Sequence, residues 1–92
     1  MKESSDKSRK RVKLSVKADP KSNVFVAGSF NEWDPANHKC ECDDGVHSIS
    51  LMLVPGKYEY KFVINDVWCI DPECKEWAPN SFGSLNSVLV VE

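Results

Sequence analysis

Apolar and polar residues alternate along most of this chain at the two-residue period of strands, and no segment carries the period of a helix. The clearest run is residues 57–68, KYEYKFVINDVW. Tyr58, Tyr60, Phe62 and Ile64 fall at every second position, so an extended chain puts them on one face as core. Lys57, Glu59, Lys61 and Val63 then form the opposite face. Asn65-Asp66 follows, and both residue types tolerate positive φ and bond their own backbone, as a two-residue hairpin turn requires. The chain is expected to return antiparallel, with Trp68 opening the return arm and keeping part of its ring in water.

The same pattern predicts the other strands. Val12, Leu14 and Val16 alternate with polar residues in a half-buried first strand. Residues 23–27, NVFVA, are β-branched or aromatic on both faces, which suits a central strand. Residues 38–42 alternate weakly, Asp43-Asp44-Gly45 reads as a hairpin turn, and Ile49, Leu51 and Leu53 mark an inward face before Pro55-Gly56. After Ile70 a 14-residue connection containing Trp77 and Phe82 leads into a last strand over 85–91, apolar on both faces. Connections this long in a small domain usually carry function. About seven short strands, separated by turn signals, predict an all-β, immunoglobulin-like antiparallel sandwich. Residues 1–10, polar and aperiodic, read as a disordered tail before a single domain over 11–92.

Composition narrows the chemistry. A 92-residue chain builds one modest core, and a net charge of -2 gives no reason to expect nucleic acid or an anionic membrane as partner. With no apolar run long enough to span a bilayer and no signal-peptide pattern, the expected setting is soluble and cytoplasmic. Cys40, Cys42, Cys69 and Cys74 fit no familiar disulfide framework, and reduced, structural thiols are expected, with zinc the lesser reading. His38 and His47 flank the Asp43-Asp44-Gly45 turn and read as exposed strand residues rather than a metal pair.

No nucleophile with a positioned base, phosphate-binding loop or zinc-protease motif is present, and most acidic residues sit at turns. An enzyme and a cofactor are therefore not expected. Binding has more support. Trp33, Trp68 and Phe82 lie in or beside loops, Lys61 is on the face opposite the core, and Ser84 and Asn86 add small hydrogen-bonding groups. Flat rings flanked by polar groups suit a ligand with apolar faces and hydroxylated edges, which describes a pyranose.

Four ordered segments carry a family resemblance: VFVAGSFNEW over 24–33, PGKYEYKFVINDVW over 55–68, Asp71-Pro72, and FGSLNS over 82–87. They resemble carbohydrate-binding module family 48, which includes the glycogen-binding module of the AMP-activated protein kinase beta subunit. The resemblance implies an early-set immunoglobulin-like sandwich that binds α-1,4-linked glucan such as glycogen or starch. It implies stacking by Trp33 and Trp68, a sugar-bonding Lys61, and a last loop in which Phe82, Ser84 and Asn86 take the positions of an inserted leucine and two hydrogen-bonding residues. Phe82 in place of leucine departs from the family pattern. The alternatives are an interaction or scaffold domain that has lost sugar binding, and an accessory module of a glucan-active enzyme. The other partners expected are further domains or subunits of a larger protein.

Overall fold

The computed structural model describes residues 9–81 and 83–92. Among the described residues nine strands form, β1 (Lys10–Lys17), β2 (Val24–Gly28), β3 (His38–Lys39), β4 (Glu41–Asp43), β5 (Val46–Leu53), β6 (Gly56–Ile64), β7 (Val67–Cys69), β8 (Trp77–Pro79) and β9 (Leu85–Val91). They build two antiparallel sheets, a small one ordered β1-β5-β4 and a large one ordered β3-β2-β6-β9-β8, with β7 paired to β6 beyond the end of β9.

The count exceeds the expected seven for two reasons. The segment over 38–42 breaks at buried Cys40, so β3 joins the large sheet and β4 the small one. A three-residue strand, β8, forms inside the long connection and pairs with β9. The first strand also starts at Lys10, opposite Leu53, so the polar tail stops short of that residue. The rest of the expected tail, residues 1–8, lies outside the described residues.

The sheets close on each other through the alternation that the sequence carries. In the small sheet Val12, Leu14 and Val16 lie opposite Leu51, Ile49 and His47. In the large sheet Val24, Val26, Tyr60 and Phe62 face them, and these four with Leu14, Cys40 and Leu51 make one cluster. Full burial of a side chain such as Val26 or Phe62 contributes about 1.5–3 kcal/mol. His47 departs from expectation: it is 1% exposed and donates from Nε2 to the Asp19 carbonyl at 3.0 Å. It continues the inward period of Ile49, Leu51 and Leu53. His38 sits in the other sheet against Asn31, so the two rings form no pair. All four cysteines are free, and burial pushes the Cys40 thiol up to about 11.

Asn65 and Asp66 adopt φ of 50° and 69°, and Asp44 and Gly45 adopt 55° and 83°, the left-handed pairs of tight hairpin turns. The first turn is pinned from β2's side, with Asn23 N–H donating to Asn65 Oδ1 and Asn65 N–H to the Asn23 carbonyl. This fixes the β6–β7 hairpin and thus where Trp68 stands.

Candidate functional site

The outer face of the large sheet is where the polar half of β6 emerges. Register places Ala27 beside Lys61, and Phe25, Val63 and Trp68 in one row across β2, β6 and β7. Val63 is only 3% exposed because a ring stands on either side of it. Trp68 itself is 44% exposed, the half-wetted ring expected beside the turn.

Trp33 reaches the same face through a turn built on Asn31. The Asn31 carboxamide oxygen accepts from Gly28 N–H, and its nitrogen donates to the Val26 carbonyl and to His38 Nδ1. The Gly28 carbonyl accepts from both Asn31 N–H and Trp33 N–H, while Glu32 and Trp33 sit at φ of 59° and 61°. Two consecutive left-handed residues without glycine reverse the chain sharply, and the side-chain clamp holds the reversal. A β-carbon added at Gly28 would lie 2.6 Å from the Glu59 carbonyl oxygen and 2.6 Å from Phe30 Cε2, so the turn needs glycine for close approach to β6.

Trp33, Lys61, Trp68, Ser84 and Asn86 all line one open cleft of about 840 Å3, together with Ser29, Lys57, Glu59, Asn80 and Ser81. That volume is in the range of small-molecule sites. Five of the six residues expected from the sequence thus come together, and neither indole is sunk in the core. The sixth, Phe82, lies outside the described residues. Lys57 and Glu59 could have been found from their alternation with Lys61. Ser29, Asn80 and Ser81 carry no local signal, since only loop geometry brings them in.

A continuous set of hydrogen bonds runs along the cleft floor. Lys61 Nζ donates to Ser84 Oγ at 2.9 Å, and Ser84 N–H donates to Asn80 Oδ1 at 3.1 Å. Asn80 Nδ2 donates to Asn86 Oδ1 at 2.9 Å, and Asn86 Nδ2 donates to Glu59 Oε1 at 2.9 Å. Behind it, Tyr60 Oη donates to Asp71 Oδ2 at 2.7 Å, and Asp71 N–H donates to Ser87 Oγ at 2.8 Å. Burial, then the neighbouring Asp71, pushes the Tyr60 phenol well above its ordinary range. This buried pair ties the segment after β7 to the sheet. Among the described residues no group of three or more His, Cys, Asp or Glu side chains is arranged to hold a metal ion.

Two rings, an ammonium held by Ser84 and a row of hydrogen-bonded polar groups thus stand together on one sheet face, a surface whose chemistry suits a hydroxylated ligand. The class is a carbohydrate-binding β-sandwich module. Residues 13–92 match the family of the glycogen recognition site of AMP-activated protein kinase, and the chain belongs to that family of non-catalytic domains. It is similar to PTST homolog 2 of Arabidopsis thaliana, 43% identical over 55% of this chain and 10% of that protein, and to FLOURY ENDOSPERM 6 of Oryza sativa, 39% identical over 62% and 11%. The beta subunit of 5'-AMP-activated protein kinase of Schizosaccharomyces pombe is 30% identical over 75% of this chain and 22% of its own length. The chain therefore spans between about a tenth and about a fifth of these relatives. Among solved structures, a maltogenic amylase from S. marinus superposes with a TM-score of 0.75 and 26% identity, over 91% of this chain and 14% of the amylase.

The relatives also correct one expectation. PTST homolog 2, FLOURY ENDOSPERM 6 and PTST are chloroplastic proteins, which overturns the cytoplasmic assignment. The reason is physical: mild net charge and the lack of an apolar span are properties of soluble domains in every compartment.

Proposed function

We propose that the cleft is where this domain holds its α-1,4-linked glucan, with Trp33 and Trp68 stacking on the C–H faces of pyranose rings. Lys61 and Ser84 bond hydroxyls between the rings, and Asn86 lines the inner wall. The observation that carries this reading is the convergence of two partly exposed indoles, from segments 35 residues apart, on one cleft beside the Lys61–Ser84 pair. Further domains or subunits of a larger protein are the other partners, and the module serves to hold that protein on the polymer without taking part in chemistry.

Weak single contacts fit that role. Each stacked ring removes about 50–80 Å2 of apolar surface from water, worth roughly 1–2 kcal/mol. Two rings and a few hydrogen bonds, set against association and ligand ordering, give a dissociation constant of about micromolar to millimolar. Repeated sites on a polymer compensate. Co-sedimentation with glycogen or amylose tests the assignment: wild type should pellet and Trp68→Ala should stay in the supernatant. Equal retention of the two proteins would reject the cleft as the glucan site.

A further inference from the structure

Each hydroxyl of a sugar both donates and accepts, so a site that engages a hydroxyl fully must offer acceptors as well as donors. The Lys57 and Lys61 ammonium groups are donors only. The Asn86 carboxamide oxygen already accepts one bond from Asn80, and the Asn80 oxygen one from Ser84 N–H, so both are neutral acceptors already in use. Among the described side chains lining the cleft, Glu59 is the one carboxylate. Its Oε1 accepts from Asn86 at 2.9 Å, while no described group bonds Oε2.

Glu59 is also held rigidly enough to select a geometry. Its backbone is bonded both ways to Ser29, the Glu59 carbonyl accepting from Ser29 N–H at 2.9 Å and Glu59 N–H donating to Ser29 Oγ at 3.2 Å. Its side chain ends the hydrogen-bonded row that starts at Lys61. Asn86, at 7% exposure, is buried against that carboxylate and holds its Oε1 in place.

The geometry points to Glu59 as a sugar-contacting residue, accepting hydrogen bonds from a vicinal pair of glucosyl hydroxyls, with Asn86 positioning its carboxylate. This rests on the cleft being the glucan site, as argued above. An ionised acceptor makes shorter and stronger bonds than a neutral one, so Glu59 supplies the acceptor half of recognition opposite the Lys61 donor. A ring whose hydroxyls at carbons 2 and 3 are not both present loses one half of that contact.

Calorimetric titration of maltotriosides into wild type, Glu59→Gln and Trp68→Ala tests the assignment. Glu59→Gln keeps size and polarity, and it should weaken binding roughly tenfold while leaving the unfolding midpoint unchanged. The 2-deoxy or 3-deoxy maltotrioside should bind wild type roughly tenfold more weakly than the parent sugar, yet bind Glu59→Gln within about twofold of it, since the bond being deleted is already absent. A Glu59→Gln protein that binds like wild type, or one that still discriminates the deoxy sugars as wild type does, overturns the role of Glu59. If Trp68→Ala abolishes binding in that same series, the cleft assignment survives that failure. If Trp68→Ala binds like wild type, the cleft assignment falls and Glu59 with it.

Discussion

Replacing Tyr60 by phenylalanine removes one oxygen and tests whether the buried pair behind the cleft holds the domain together. Tyr60 is 3% exposed and Asp71 8%, so water cannot take the place of the lost hydroxyl. The variant leaves Asp71 Oδ2, formerly bonded at 2.7 Å, without a partner. An unsatisfied buried polar group costs about 1–3 kcal/mol, more if it carries charge, and the expected loss is about 2–4 kcal/mol. For a domain of this size total stability is on the order of 5–14 kcal/mol, so the loss is a large share of it. The thermal midpoint should fall by about 10–25 °C. Urea and thermal unfolding followed by circular dichroism measure it, and a second variant, Asp71→Leu in the Tyr60→Phe background, should cost much less than the sum of the separate changes. A Tyr60→Phe protein within about 0.5 kcal/mol of wild type would refute the reasoning, because that is the range of an unremarkable surface change.

Gly28→Ala should destabilise by about 1–3 kcal/mol, since the new methyl meets backbone oxygen of β6 that cannot swing away, and glucan affinity should drop in parallel as the Trp33 turn shifts; denaturation midpoints and titration of the same samples check both. The Cys40 thiol, raised from 9.0 to about 11, keeps its proton in the folded protein where the unfolded chain loses it. Its stabilising contribution is therefore complete below pH 9.0 and is lost as pH rises to about 11, so urea midpoints should fall across that window more steeply for wild type than for Cys40→Ala.

The strands were legible because alternation and burial share a cause: residues 57–64 show which side of β6 meets the core before any partner strand is known. The Asn65-Asp66 turn was equally readable, since few residue types accept its backbone. Cys40 was not, because the switch from one sheet to the other depends on which strands are already in place around it. β8 is hidden for a similar reason: its three residues pair with β9 through a connection held by Asp71, Cys74 and Glu76, and no local signal carries that. In the cleft, Lys61 and the indoles stood out by residue type, but Asn80 and Ser29 are ordinary loop residues whose importance is purely positional. His47 shows the reverse error, a polar residue on the inward period that composition argued outward and a single carbonyl, that of Asp19, makes welcome.

β9 comes last in sequence order yet lies inside the large sheet, between β6 and β8. On a ribosome, then, β6 must wait with one flank open until residues 85–91 emerge, and Lys61 and Glu59 have no floor to rest on until Ser84 and Asn86 arrive. Assembly of the sheet and assembly of the cleft are one late event, slow because the pairing is long-range and exposed to wrong partners while it is incomplete. On the reading of the cleft proposed above, a domain ordered this way gains no partial glucan affinity from its first 80 residues: the capacity to bind appears only when the sandwich closes.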